Sequence, residues 1–244
     1  MDLPPDRYRL RLERAGRLLW SATPREVVPG RVTRFDVNLR PVDFAAVLPV
    51  ISGTERELYA AADMIVIRGN NLAPGYQQAE QVPLPNVLNG VRVLTPDGLS
   101  LPLVRVSANE VVAQLPTRWR ERETLRVRHS GMDSQEIAVR VVESLPVIES
   151  VRRVGDYLEI YATGLGLTEP PLAPGAAADP TLGLPVIPRP VFVLFGERME
   201  EPLYAGAMPY QPGRYQVNIR IPEEVTVVDL RISVGGVVSN AVKF

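Results

Sequence analysis

His129 is the only histidine among 244 residues, and cysteine is absent. It closes the alternating run Leu125-Arg126-Val127-Arg128-His129, next to a Ser130-Gly131 turn. A histidine general base needs a nucleophile and an orienting partner, and no motif supplies either. With one histidine and no thiolate, a zinc site would have to be mostly carboxylate, and no such ligand spacing occurs. Asp97, Asp133, Asp156 and Asp179 are scattered, without the D-x-D-x-D-G loop that calcium favours. Gly164 and Gly166 stand in TGLGLT with no phosphate-loop lysine after them, so they read as a turn. No catalytic, metal-binding or cofactor-binding constellation is found. The expectation is a non-enzymatic protein without a cofactor.

Binding chemistry has better candidates. Arg118-Trp119-Arg120 opens a charged run, and tryptophan and arginine are the residues most enriched at interface hot spots. The charge sign alternates through Glu121, Arg122 and Glu123, which also suits a solvated loop. The second candidate is residues 204–222, YAGAMPYQPGRYQVNIRIP. Tyr204, Tyr210 and Tyr215 could form an aromatic platform. The alternation instead puts Tyr215 with Val217, Ile219 and Ile221 on a buried face, its hydroxyl needing a backbone partner. Gln216 and Asn218 fall on the other face, placed to fix a loop or a domain contact. The candidate interaction residues are therefore Arg118, Trp119, Arg120, Tyr204, Gln216 and Asn218.

These residues must be positioned by short strands. The net charge of −1, with both signs interspersed, leaves no footprint for nucleic acid or an anionic membrane surface. No apolar run approaches the roughly 20 residues that span a bilayer, so no membrane insertion is expected. Residues 1–16 lack a basic segment followed by an apolar one, and no signal peptide is read there. The 24 prolines are spread out, as punctuation between strands.

In chain order, residues 1–41 read as part of a β-domain, with Tyr8, Leu10 and Leu12 alternating with arginines. A strand pair is expected around Pro29-Gly30, from 26–28 to 32–39. Residues 42–57 read as a connector marked by Pro49 and Ser52-Gly53-Thr54. Residues 58–145 carry six or seven short strands with turn signals between them, the pattern of a sandwich. Val111, Ala113 and Leu115 alternate there with Val112 and Gln114. Residues 146–244 repeat the plan at a period near ninety residues. Residues 156–166 correspond to 63–72, 191–196 to 91–93, 215–222 to 110–116, and Ser239-Asn240 to Ser134-Gln135. Such a period means two tandem domains of one kind. The expected fold class is all-β, two tandem Ig-like sandwiches after a partial N-terminal β-domain. Limited proteolysis is expected near 42–57 and in the Pro/Ala/Gly-rich loop 167–190.

Tyr204-Ala205-Gly206, Pro212-Gly213-Arg214-Tyr215-Gln216-Val217-Asn218, Ile221-Pro222 and Gly235-Gly236 with Ser239-Asn240 resemble an uncharacterised domain. That domain closes large exported proteins of Solibacter and other Acidobacteria and is similar to the Ig-like IPT/TIG group. The likeness covers the last hundred residues well and the preceding ninety more loosely. In the first copy Val104-Arg105-Val106-Ser107 stands for the Tyr-Ala-Gly run. Residues 3–41 resemble the final strands of carboxypeptidase-regulatory-like (transthyretin-like) domains, with Asp6 where that family usually has glycine. The resemblance implies an Ig-like fold and an exported context; the family has no established activity.

The functional expectation is a structural, spacer or adhesion module of an exported bacterial protein, secreted or at the cell surface. Its expected partners are other domains of the same or a longer polypeptide, and protein or glycan at the cell surface; nucleic acid is not among them. The alternative is a carbohydrate-binding accessory module of a secreted hydrolase. That reading needs a row of exposed aromatics, and Trp20 and Trp119 are far apart in sequence. An enzyme built on a sandwich would instead need paired carboxylates in a cleft.

Overall fold

The computed structural model describes residues 6–8, 11–14, 17–21, 25–29, 48–118, 120–223 and 229–243. Four short strands come first: β1 (Asp6–Tyr8), β2 (Arg11–Arg14), β3 (Arg17–Ser21) and β4 (Arg25–Val27). β1 pairs with β4 and β2 with β3, both antiparallel. The strand expected at 32–39 lies outside the described residues.

Ten strands follow: β5 (Val50–Thr54), β6 (Leu58–Ala60), β7 (Met64–Asn70), β8 (Gln77–Gln78), β9 (Val91–Leu94), β10 (Leu103–Val106), β11 (Glu110–Gln114), β12 (Arg122–His129), β13 (Met132–Asp133) and β14 (Ile137–Val142). One sheet runs β5-β7-β11-β10-β8. The other runs β13-β12-β14-β6, with β9 also on β12. Residues 50–54 had read as connector, but they form an edge strand. Ser52-Gly53 makes no turn; it marks a register shift between Ile51 and Gly53, a bulge that bends the strand without ending it.

The remaining strands are β15 (Val147–Val154), β16 (Tyr157–Thr163), β17 (Val191–Phe195), β18 (Arg198–Glu200), β19 (Tyr204–Ala207), β20 (Tyr215–Arg220), β21 (Asp229–Val234), β22 (Val237–Val238) and β23 (Val242–Lys243). They build the sheets β15-β16-β20-β19 and β18-β17-β21-β22, with β23 on β21. The protein is thus all-β, two Ig-like sandwiches in tandem. Period-two alternation is the cause, because every second side chain faces the opposing sheet. One core gathers Ile65, Ile67, Val111, Ala113, Leu125 and Val127; the other gathers Leu158, Ile160, Val217, Ile219, Leu230 and Ile232. Among the described residues, no helix is long and apolar enough to cross a membrane.

The duplication extends to side-chain bonds. Ser134 Oγ accepts from the Val127 N–H at 2.9 Å, and Ser239 Oγ accepts from the Ile232 N–H at 2.9 Å. The next residue is an amide in each copy. Asn240 accepts from the Ile148 N–H at 2.7 Å and donates to the Ile148 carbonyl at 3.1 Å. Gln135 does the same to both backbone groups of Ile51. Each Ser-amide pair thereby ties the last part of a sandwich to its first strand, 84 or 92 residues away. Ser134→Ala and Ser239→Ala should each cost about 1–3 kcal/mol, since each strands a buried N–H. Urea denaturation checks this; a loss below about 0.5 kcal/mol in both variants would contradict it.

Candidate functional site

The most constrained region lies where the two sandwiches meet. Alternation along β11 puts Val111, Ala113 and Leu115 on one face and Val112 and Gln114 on the other. Val111, Ala113 and Leu115 are buried, but so are Val112 at 5% exposure and Gln114 at 4%. On the second face, the loop 167–190 reaches Gln114. Gln114 Oε1 accepts from the Gly175 N–H at 2.7 Å, and Gln114 Nε2 donates to the Ala62 carbonyl at 3.3 Å. The Gly175 carbonyl in turn accepts from the Leu84 N–H at 2.9 Å. Gly175 has φ +76°, and a Cβ there would lie 2.9 Å from the Leu84 oxygen and 3.1 Å from Pro102. Only glycine combines that backbone with that closeness. Part of a loop expected to be open to proteolysis is therefore docked on the first sandwich.

Two further contacts fix the junction. The Pro212-Gly213 turn lies against the first sandwich, where a Cβ on Gly213 would be 2.7 Å from Met64 Cε. Tyr215 is 4% exposed, and its hydroxyl donates to the Gly166 carbonyl at 2.5 Å. Gly166 and Gly164 are more than a turn. A Cβ at Gly164 would sit 2.0 Å from the Leu145 oxygen, and one at Gly166 would sit 2.4 Å from the Glu143 oxygen. The linker between the sandwiches thus runs directly against this pair, and Leu145 N–H donates to the Gly164 carbonyl at 2.7 Å. Arg189 closes an ion pair with Glu143 from the other side. A cavity of about 30 Å³, the room of roughly one water molecule, remains among Ala62, Gln114, Leu167 and Tyr215.

Beside this contact runs a groove of about 780 Å³. Met64, Val66, Val104 and Val112 from the first sandwich line it, with Tyr210, Gln211 and Arg214 from the second. Asp63 lies at its edge, 1% exposed. Its carboxylate accepts from Arg56 Nη2 at 2.9 Å and from the Met64 N–H at 3.0 Å. Burial raises its pKa above the usual carboxylate range, against the opposing pull of Arg56. Burial likewise pushes the Tyr215 phenol up, with the Asp63 charge adding to it.

The residues singled out by sequence fall into two separate places. Arg118 bonds Asp97 at 2.9 Å and approaches Glu123 at 3.7 Å. Arg120 lies 3.7 Å from Asp97 and 3.8 Å from Glu123, which is 2% exposed. The Arg118 and Thr95 bonds hold the Asp97 carboxyl well below the usual range. These guanidinium groups are thus engaged within the chain. Trp119 lies outside the described residues.

Tyr204, Gln216 and Asn218 share the outward face of the β15-β16-β20-β19 sheet. Tyr204 pairs in register with Asn218, and Gly206 with Gln216. The Tyr204 hydroxyl donates to the Ala207 carbonyl at 2.7 Å and reaches the Pro185 carbonyl at 3.3 Å. Burial pushes its pKa up to about 12. A Cβ on Gly206 would lie 2.6 Å from that hydroxyl and 2.2 Å from the Pro185 oxygen. The Tyr-Ala-Gly spacing is thereby explained: the glycine leaves space for the tyrosine tip, which holds the loop at Pro185. Gln216 Nε2 donates to Asn218 Oδ1 at 2.8 Å.

His129, Arg128 and Asp179 have partners within the chain. His129 Nδ1 lies 3.3 Å from the Asn71 carbonyl oxygen. Arg128 bonds Asp133, and Asp179 caps the short 3-10 turn Pro180–Leu182. Among the described residues, no three His, Cys, Asp or Glu side chains cluster as metal ligands.

No family model matches this chain, and no curated protein matches it. Solved structures that align with it include a gamma-CGTase from Alkalophilic bacillus clarkii at 12% identity and TM-score 0.30, over 80% of this chain and 24% of that one. SGBP-B, from a complex xyloglucan utilization locus in Bacteroides uniformis, aligns at 13% identity and TM-score 0.29, over 80% of this chain and 48% of that one. Domains 5–6 of the S-layer protein SbsC align at 10% identity and TM-score 0.25, over 80% and 96%. This chain spans less than half the length of the first two. At these scores none of the three bears on function.

The Asp63 geometry makes a pH prediction. A carboxyl whose pKa is raised on folding binds its proton more tightly in the folded state. Its contribution to stability is full below the unfolded value of about 3.9 and falls as pH rises through the folded value. Asp63→Asn removes that titration. The stability of wild type relative to the variant should therefore fall with rising pH from about 4 upward. Urea midpoints across that range check it; a difference that stays flat or grows with pH would overturn the assignment.

Proposed function

We propose that this chain is a non-enzymatic spacing and interaction module of an exported bacterial protein, its two sandwiches acting as one stiff unit at the cell surface or in secretion. The observation that carries the reading is the docking of Gly175 between Leu84, Pro102 and Gln114. It converts two domains on a linker into a pair with a defined angle. Swing about a linker otherwise leaves domains mobile relative to one another. The resemblance of 204–240 to the C-terminal domain of Acidobacteria exported proteins, and of 3–41 to carboxypeptidase-regulatory-like strands, supports the exported setting. On this reading the second sandwich is an IPT/TIG-type domain and the first a divergent copy.

The absence of cysteine permits a clean test by single-molecule energy transfer. Leu99 and Leu203, 38% and 70% exposed, are suitable positions for paired Cys labels, one on each sandwich. The labelled wild type should give one narrow transfer distribution. Adding Gly175→Leu or Gln114→Leu should broaden it while each sandwich keeps its fold by circular dichroism. A wild-type distribution as broad as the variants' would remove the proposal.

A further inference from the structure

We propose that the groove at the junction is a binding site for a neutral oligosaccharide. The proposal rests on the docked arrangement above and adds a ligand class to it. The groove's 780 Å³ falls within the roughly 300–1,000 Å³ of small-ligand sites, which favour domain junctions.

Its floor departs from the sandwich rule that outward faces are polar. Met64, Val66, Val104 and Val112 all point into it. Val66 and Val112 are direct cross-strand neighbours, and Met64 is next to Gln114 in the same pairing. The floor strands β7 and β11 are interior to their sheet, so they offer no free backbone edge to a peptide strand. What they offer is an apolar strip, with Val112 at its base only 5% exposed.

One wall is the 210–214 loop of the second sandwich. Tyr210 is 69% exposed and has φ +60°. That conformation is uncommon for a bulky non-glycine residue and collects at ligand sites. Its N–H donates to the Ala178 carbonyl at 3.0 Å, which holds the strained backbone in place. The junction thus maintains an exposed aromatic ring beside an apolar strip.

The charges select against ionic ligands. Three guanidinium groups line the groove, from Arg56, Arg105 and Arg214. Each already has a carboxylate partner: Arg56 has Asp63 at 2.9 Å, Arg214 has Glu149 at 3.3 Å, and Arg105 has Glu110 at 2.9 Å, which it shares with Arg68 at 3.2 Å. A site for phosphate or uronate would keep an unpaired guanidinium for it. Paired arginines instead present spare N–H donors beside carboxylate acceptors, and Gln78 and Gln211 add amides. Neighbouring hydroxyl groups, which both donate and accept, match that alternation. The apolar strip and the Tyr210 ring take the C–H faces of sugar rings. A neutral, hydroxyl-rich, two-faced ligand fits every part.

The test is an amide-shift titration of the intact chain by NMR with cellohexaose, xylohexaose and maltohexaose. Hexagalacturonate and a neutral hexapeptide serve as competitors in class. At least one neutral hexasaccharide should shift the amides of Val66, Val104, Val112 and Gln211 with a Kd between about 10 μM and 1 mM. Hexagalacturonate should bind at least about tenfold more weakly. Tyr210→Asn keeps a residue that tolerates the left-handed backbone, and should weaken binding about tenfold or more. The proposal is overturned if no neutral hexasaccharide shifts these amides at about 5 mM. It is also overturned if hexagalacturonate or the peptide binds as tightly, or if the shifts fall on the Tyr204, Gln216 and Asn218 face. Failure with a narrow transfer distribution removes the site and leaves the stiff pair standing; a broad distribution removes both.

Discussion

A glutamine amide at 4% exposure has two donors and an acceptor that water can hardly reach. Leaving such a group unpaired costs on the order of 1–3 kcal/mol. Gln114 finds its donor's partner, the Ala62 carbonyl, in its own sandwich and its acceptor's partner, the Gly175 N–H, in the other. The amide oxygen therefore has this partner only when the second sandwich is docked. Much else follows from that constraint. Gly175 must be glycine to come that close. The linker can be short because Gly164 and Gly166 let its backbone run against them, with the Tyr215 hydroxyl holding Gly166 from behind.

Each sandwich also has its own closure. The Ser-amide pairs 134–135 and 239–240 bind the first strand of each copy to its end, so each core is enclosed by bonds that do not involve the junction. Stability of the sandwiches and stiffness between them are thus separable. This division suits a module whose work is to hold a geometry. The same division lets a groove form between two well-made bodies, where an apolar floor from one meets a loop from the other.

The fold was legible because alternation is a local property. Tyr215, Val217 and Ile219 read as a buried face from spacing alone, and Ser239-Asn240 aligns with Ser134-Gln135 by sequence alone. What stayed hidden was whatever depends on a partner far away in sequence. Nothing local distinguishes Gln114 from a solvated glutamine, since its second partner lies 61 residues on. Gly175 sits in an Ala/Pro/Gly-rich loop where any glycine looks like filler. Ser52-Gly53 had the composition of a turn, and only pairing with β7 shows it to be a bulge. Arg118 and Arg120 have a composition common at interfaces, while their acidic partner Asp97 comes from a different turn. The one hint at the junction was Val112 beside Gln114, an apolar residue on the face that should have been wet.

Gly175 is tied to the first sandwich through a buried amide, and amide hydrogen exchange reads that bond directly. The Gly175 N–H lies in a loop, where exchange near the intrinsic rate is the rule. In wild type it should show protection comparable to that of strand amides such as those of β20, and lose it in Gln114→Leu while β20 stays protected. Exchange of the wild-type Gly175 amide at the rate of an open loop would contradict it.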